Sequence, residues 1–219
     1  EKSTVGQLYN ILNLIVLEDR QRARTQMGQI AAALLKESDQ GLLIVATRVA
    51  LDLADAGMGR KLLDKVDGKS TGDFADYLKA YLLEVEKKHQ AALDAFEKLS
   101  QRDGALRGYA LFHYARLLDM WGFDGEALET YHKIEALGFT FEEALVNTGV
   151  LHEDKGEHSV ALRYYNRALK MNPNSQRALL YHSDAESCLD MQYDERKMKQ
   201  DIKTSEILAI PISDFELSV

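Results

Sequence analysis

The sequence predicts an all-α fold made of paired helices, and three observations support this prediction. The chain of 219 residues contains only two Pro, and it is rich in Ala, Leu, Glu, Lys and Gln, which favour helices over strands. Hydrophobic residues make up 46% of the chain, enough to bury a substantial core. Apolar residues recur at intervals of three and four, the spacing that places them on one face of a helix.

An internal repeat organises these helices. Residues 142–173 align with residues 108–139 at an offset of 34 residues, and each copy reads as a helix, a turn and a second helix. A small residue occupies the same aligned position of the first helix in both copies, Ala115 in one and Gly149 in the other. Because a small residue lets two helices approach closely, we expect Ala161 on the second helix to lie opposite Gly149.

The aligned residues resemble the tetratricopeptide repeat family. In the copy at 142–175 the signature positions of the family are occupied by Leu145, Gly149, Ala161, Tyr165, Ala168 and Pro173. The copy at 108–141 keeps Leu111, Ala115, Ala127, Tyr131 and Ile134. A weaker copy covers about 73–106. The resemblance implies a right-handed α-α superhelix, or solenoid, of tetratricopeptide-like helical hairpins.

The remaining elements extend this repeat domain to residues 1–203. Two further helical pairs precede the clear copies, at 4–36 and 40–72. Residues 176–203 keep a first helix but have a polar second one, which suits capping helices at the end of a stack. We therefore expect about five hairpins in one solenoid rather than in separate domains.

Charge, cysteine content and hydropathy limit the function. The formal net charge of −8 offers no basic face for duplex nucleic acid, so residues 1–203 are not expected to bind it directly. Cys188 is the only cysteine, which excludes an intrachain disulfide and favours a reducing compartment, the cytoplasm. Neither a membrane-spanning run nor a signal-peptide pattern is evident, and no membrane partner is expected.

Motifs that could carry chemistry are weak. The stretch "GKST" at 68–71 resembles the end of a phosphate-binding loop, but Leu63 stands where that loop needs Gly, so we interpret it as a polar turn. Glu129 and His132 form only one Glu-x-x-His pair. The six histidines show no metal-ligand spacing with Cys188. The sequence predicts no enzyme, no cofactor and no metal site.

The family resemblance implies a binding groove. The first helix of each hairpin lines a concave surface that receives a peptide or a folded partner. The positions expected to face it, carried over from the repeat register, are Tyr109, Phe112, Arg116, Met120, Glu143, Asn147, Val150, Asp154, Arg177, Leu180 and Tyr181.

Some of these positions have a second interpretation. Phe112, Leu180 and Tyr181 have an alternative role, which is to fill the packing between repeats. A subgroup of the family grips a C-terminal carboxylate with Lys and Asn, and Phe112 and Arg116 stand at two of those positions. We therefore expect an internal peptide or a folded partner rather than a chain terminus.

The last residues resemble a different family. "PISDFELSV" at 211–219 is similar to the entry of the C-terminal domain of the bacterial RNA polymerase alpha subunit. We expect 204–219 to be a linker and the start of a truncated domain of this kind, in a fragment that begins at Glu1 without Met. The alternative is a tail that packs on the last hairpin.

These observations lead to two functional hypotheses. The favoured one is a protein–protein interaction scaffold or adaptor, linked through the C-terminal resemblance to bacterial transcription, with transcription machinery as a candidate partner. The alternative is a transcription-associated regulatory factor that acts through a DNA- or activator-binding module beyond residue 219.

Overall fold

The computed structural model describes residues 3–17 and 19–208, with side chains up to residue 200. These residues form α-helices and connecting turns, and no strand occurs among them. They group into two compact units, one ending at Leu137 and the other starting at Gly138. The expectation that all hairpins form one continuous solenoid stays a prediction.

The first unit consists of four helical hairpins. The described helices are α1 (Thr4–Val16), α2 (Arg20–Leu34), α3 (Gln40–Asp52), α4 (Ala56–Leu63), α5 (Gly68–Thr71), α6 (Asp73–Val85), α7 (His89–Ser100), α8 (Arg107–Met120) and α9 (Asp124–Ala136). The hairpins are α1–α2, α3–α4, α6–α7 and α8–α9, and in each of them the two helices pack against each other. All four lie where the sequence predicts helical pairs.

The "GKST" segment forms the short helix α5 rather than an open turn. Asp67 precedes it and accepts a hydrogen bond from the Lys69 backbone nitrogen through its side chain. The segment before it is the helix α4, whereas a phosphate-binding loop follows a strand. The segment therefore connects the second and third hairpins.

The second unit contains one hairpin and a long helix. Its helices are α10 (Glu142–Asp154), α11 (His158–Met171) and α12 (Gln176–Leu208). Ser175 caps the start of α12, because its Oγ accepts a hydrogen bond from the Ala178 backbone nitrogen at 3.3 Å.

The prediction of two capping helices within 176–203 is wrong. A single helix of 33 residues, Gln176–Leu208, runs through the whole segment. The stretch contains neither Gly nor Pro, the residues that would stop a helix or favour a turn. Polar residues such as Glu195 and Lys199 continue the same helix on exposed positions.

Four of the hairpin turns contain a residue in the left-handed backbone conformation. Gly122 and Gly156 occupy it in the α8–α9 and α10–α11 turns, with φ of 77° and 74°. Ala54 and Lys87 occupy it in the α3–α4 and α6–α7 turns, with φ of 59° and 61°. Only Gly adopts this conformation without steric cost, so the α3–α4 and α6–α7 turns carry local strain.

The α6–α7 turn gives a first prediction. Replacing Lys87 by Gly is expected to raise the free energy of unfolding by about 0.5–1 kcal/mol, because relief of the left-handed strain exceeds the entropy cost of Gly. Urea denaturation followed by circular dichroism measures the change. Lys88 is the matched control, because its φ is −86°, and Lys88→Gly should be destabilising. Equal losses in both variants would contradict the assignment of strain to Lys87.

Two helices of the second unit approach each other closely at Gly149. The three atoms nearest to a Cβ built there all belong to the Tyr165 ring, with Cδ1 at 2.7 Å and Cζ at 2.9 Å. A small residue is therefore needed at position 149, and the ring of Tyr165 on the second helix lies against it. Ala161, the predicted counterpart, is fully buried in the same core cluster. The ring fills space that two small residues alone would leave empty.

Candidate functional site

The first unit has a groove lined by the first helices of its four hairpins. It holds about 410 Å³. Its apolar lining comes from α1, α3, α6 and the start of α8, and includes Leu12, Ile44, Val45, Phe74, Leu106 and Tyr109. Arg48 and Asp52 supply polar groups in the same lining. Three groove residues of α3, Val45, Arg48 and Asp52, are three and four residues apart, which places them on one face of the helix.

Large apolar side chains are exposed in this groove. Phe74 is 45% exposed, and Val45 and Tyr109 are exposed to a similar degree. They converge from three different helices on the same cavity. A contiguous exposed apolar patch beside polar groups is typical of an interaction site.

A hydrogen-bonded group holds the polar side of the groove in place. Arg48 Nε donates to Asp52 Oδ1 at 2.8 Å, and the Tyr81 hydroxyl donates to the same oxygen at 2.9 Å. The Arg48 guanidinium also lies 5.1 Å from the Tyr81 ring centroid and 5.6 Å from that of Tyr77. Because ring contacts and the carboxylate both hold it, Arg48 has a defined position before any partner binds.

The same group continues into α8 through His113. Arg48 Nη1 donates to the Tyr77 hydroxyl oxygen at 2.7 Å, and that oxygen is 2.9 Å from His113 Nε2. His113 Nδ1 is 2.7 Å from Glu84 Oε2, and Arg116 pairs with the same carboxylate. The chain of contacts therefore links α3, α6 and α8.

The direction of these hydrogen bonds follows from their chemistry. Glu84 is paired with Arg116, so its carboxylate accepts and His113 Nδ1 donates. Burial raises the pKa of Tyr77 to about 12, although the nearby Arg48 charge lowers it. The hydroxyl keeps its proton at neutral pH and donates to His113 Nε2. Arg48, Tyr77, His113 and Glu84 thus form a chain of hydrogen bonds, which we call the polar relay. Because each of its buried polar atoms has a partner, the relay makes the groove rigid.

The four predicted groove residues of α8 have different surroundings in the structure. Tyr109 lines the groove and packs edge-on against Tyr77, with ring centroids 6.3 Å apart. Phe112 is half-buried and packs edge-on against His113. Arg116 is the ion-pair partner of Glu84, and Met120 is exposed near the end of α8. Tyr109 is therefore the predicted residue of this helix that lies in the cavity.

Three of the predicted positions in the second unit, Asn147, Arg177 and Tyr181, contact one another. Asn147 is buried, and its Oδ1 accepts a hydrogen bond from Arg177 Nη2 at 3.0 Å. The Arg177 guanidinium lies 5.9 Å from the Tyr181 ring centroid. Tyr181 in turn stacks on Tyr165 with centroids 5.9 Å apart, and Val150 packs against the same core. These contacts agree with the alternative role, packing between repeats, for Tyr181.

Sequence reasoning predicted Tyr109 but missed the other residues that line the groove, including its polar and aromatic ones. Arg48, Asp52, Phe74 and Tyr77 belong to the second and third hairpins, which match the repeat signature weakly or not at all. The signal was present in the spacing of Arg48 and Asp52 and in that of Tyr77 and Tyr81, each four residues apart. Aligning the first helices by their apolar face, rather than by the signature residues, would have found them.

Comparison with known proteins identifies the fold. Residues 142–175 match the family model of the tetratricopeptide repeat. A tetratricopeptide repeat protein from Parabacteroides merdae ATCC 43184 is similar over 84% of this chain and 72% of its own, with a TM-score of 0.66 and 15% identity. The pilF protein of Pseudomonas aeruginosa is similar over 92% and 90%, with a TM-score of 0.56 and 13% identity. The predicted fold class, all-α with tetratricopeptide-like helical hairpins, is confirmed.

One curated relative is much longer than this chain. The chain is 26% identical over 155 residues, 69% of its length, to the protein O-mannosyl-transferase TMTC1 of Homo sapiens. The match amounts to 18% of that protein, so the chain spans less than a fifth of its relative. A match of this extent carries no activity from one protein to the other.

The described helices include none that combines the length and the apolar character needed to cross a bilayer. Residues 211–219, on which the resemblance to the RNA polymerase alpha subunit depends, lie outside the described residues. That resemblance stays a prediction.

Proposed function

We propose that this chain is a non-enzymatic protein-interaction scaffold that binds a peptide segment of a partner in the groove between α1, α3, α6 and α8. The observation that carries the proposal is the convergence of exposed Val45, Phe74 and Tyr109 on one cavity. Tetratricopeptide-like hairpins present their first helices as a recognition surface, and this groove is made of first helices.

The groove chemistry points to the kind of peptide. An apolar or aromatic anchor would fill the space between Phe74 and Tyr109 and remove both side chains from water. Arg48 is already paired with Asp52, so it offers a fixed donor face rather than a free charge. The net charge of −8 favours peptides with basic flanking residues, which would approach faster at low salt.

The preformed relay supports tight binding. A side chain that is already ordered loses little conformational entropy when the partner arrives. Tyr77 and Arg48 are ordered by contacts within the unit, and Tyr109 packs on Tyr77. The free-energy cost of binding therefore comes mainly from desolvation and from ordering of the peptide.

Of the positions expected from the repeat register, Tyr109 belongs to the proposed site. Phe112 and Arg116 support it from α8 through His113 and Glu84. Asn147, Val150, Arg177 and Tyr181 are in the second unit, and Met120 lies at the end of α8, so their part in binding stays a prediction.

Peptide selection tests the proposal. A displayed library of random peptides is selected against the chain, and the affinity of an enriched peptide is measured by calorimetry. Phe74→Ala is expected to weaken binding by about tenfold or more, because it removes an aromatic wall of the groove. Phe123→Ala is the matched control, since Phe123 is 47% exposed but lies in the α8–α9 turn. It should leave the affinity unchanged.

Two outcomes would contradict the proposal. One is that no peptide is enriched above a control protein. The other is that Phe74→Ala and Phe123→Ala weaken binding equally, which would place the peptide outside the groove.

The transcription-linked alternative is not the function that the groove favours. It depends on residues 211–219 and on sequence beyond Val219, whereas the proposed site lies between Leu12 and Tyr109. A link to bacterial transcription and a cytoplasmic location stay predictions.

A further inference from the structure

Three side chains that could ligate a metal meet in the second unit. Glu153 lies near the end of α10, His158 is the first residue of α11, and Cys188 lies on α12. One ligand atom of each lies within 4.8 Å of those of the other two, and all three side chains are half-buried. The group is a mixed set of carboxylate, imidazole and thiol from three helices, which differs from the exposed acidic clusters common on surfaces.

The His158 ring has an unsatisfied polar atom. Its Nδ1 is buried and has no hydrogen-bond partner among the described residues. The Nδ1 of His89, the first residue of α7, is in the same state, so the position at the start of a second helix accounts for the burial. The difference is that His158 has Glu153 and Cys188 beside it. A ring with an unpaired buried nitrogen, one of whose two nitrogens lies within 4.8 Å of a thiol sulfur and a carboxylate oxygen, is a feature that a bound cation would explain.

Glu153 is oriented by a second residue. The Tyr165 hydroxyl donates to Glu153 Oε2 at 2.7 Å. Since a carboxylate has two oxygens, one hydrogen bond leaves it able to coordinate a metal. An outer hydrogen bond of this kind fixes and tunes a metal ligand.

The ligand types select the class of metal. Thiolate and imidazole favour zinc and similar transition metals, whereas Ca²⁺ and Mg²⁺ require several oxygen ligands. Three protein ligands leave a fourth tetrahedral position for water or another ligand. A cavity of about 580 Å³ adjoins the group and is lined by His158, Asp190 and Tyr193, among others, which gives a cation access to the site.

We propose that Glu153, His158 and Cys188 form a binding site for a zinc-class divalent cation. The bound cation would join α12 to the α10–α11 hairpin through one ligand from each of the three helices. Sequence spacing did not indicate the site because its ligands are far apart in the chain and only the packing of three helices brings them together. The site lies within the second unit and does not depend on the proposed groove in the first.

Titration of the reduced full chain with Co²⁺, a spectroscopic substitute for Zn²⁺, tests the proposal. One equivalent of Co²⁺ is expected to produce a thiolate-to-cobalt charge-transfer band and the visible absorption bands of a tetrahedral site. Added Zn²⁺ should displace the Co²⁺ and remove these bands. Cys188→Ser should abolish the charge-transfer band. His158→Ala and Glu153→Gln should each weaken Co²⁺ binding by at least about 10-fold. His89→Ala, at the corresponding position of α7, should change neither band nor affinity.

Circular dichroism of each metal-free variant checks that the fold is intact. The proposal is overturned if reduced chain produces no charge-transfer band. It is also overturned if folded His158→Ala and Glu153→Gln variants both bind Co²⁺ with the affinity of the unchanged chain. The cation would then be bound by Cys188 with other groups.

Discussion

Phe96→Ala is expected to lower the free energy of unfolding of the first unit by about 3–5 kcal/mol, the usual cost of removing a buried ring. Phe96 on α7 is fully buried. Its ring stacks on His113, with centroids 4.7 Å apart and an interplanar angle of 11°, and meets Tyr77 edge-on. The ring therefore supports the residues that form the polar relay behind the groove, and truncation leaves a cavity beneath them.

Urea denaturation followed by circular dichroism measures this loss. Phe123→Ala is the matched control, because the same ring is removed from an exposed position in the same unit. Its effect should stay within about 0.5 kcal/mol, as for most surface substitutions. A loss below about 1 kcal/mol for Phe96→Ala would show that the ring is not part of the core that holds Tyr77 and His113.

Gly149→Ala is expected to destabilise the second unit by about 1–3 kcal/mol, the range for overpacking a filled core. The added Cβ would lie 2.7 Å from Cδ1 of Tyr165, and closer still to Cε1. The Tyr165 ring is fully buried, and its hydroxyl is held by Glu153, so it cannot swing away cheaply. Elsewhere in a helix, the same substitution is favourable by about 0.5–1 kcal/mol because Ala has the higher helix propensity.

A double-mutant cycle separates the contact from the propensity. In a Tyr165→Leu background the ring is absent, so adding the methyl group at Gly149 should cost much less or become favourable. Gly125→Ala in α9 is a further control, since a Cβ there meets nothing within 4 Å. Equal costs of Gly149→Ala in both backgrounds would exclude Tyr165 as the cause.

The fold could be predicted because local and repeat signals agree. Gly149 and Tyr165 recur in kind as Ala115 and Tyr131, and all of these positions lie in the buried faces of their hairpins. The scarcity of Pro and the small residues at fixed phase are enough to indicate helical hairpins from the sequence alone. The contact between the Tyr165 ring and Gly149 was harder to predict, since register alone does not tell which side chains of the second helix lie over a given position.

The helix α12 shows where repeat reasoning failed. The register placed a turn within 176–203, but helix formers without Gly or Pro continue the helix to Leu208. Local chemistry decided the outcome, because a turn needs a residue that favours it. The signature pattern describes the packing of two helices in a hairpin. It carries no information about where a helix ends when no second helix of a hairpin follows it.

The polar relay and the metal group were beyond sequence reasoning for a different reason. Arg48, Tyr77 and His113 lie on three helices, and only the stacking of hairpins brings them into one relay. Glu153 and Cys188 are likewise brought together by packing. Side chains that meet across elements leave no local spacing in the sequence, and a single sequence has no other record of them.

The most direct test of the proposed groove is a map of the bound peptide on the protein. Amide and side-chain NMR shifts of the labelled chain are followed while a selected peptide is added. We predict that the largest changes fall on Val45, Arg48, Phe74 and Tyr109, on the first helices of their hairpins. Changes confined to the second helices α2, α4, α7 and α9 would contradict the assignment of the peptide to this groove.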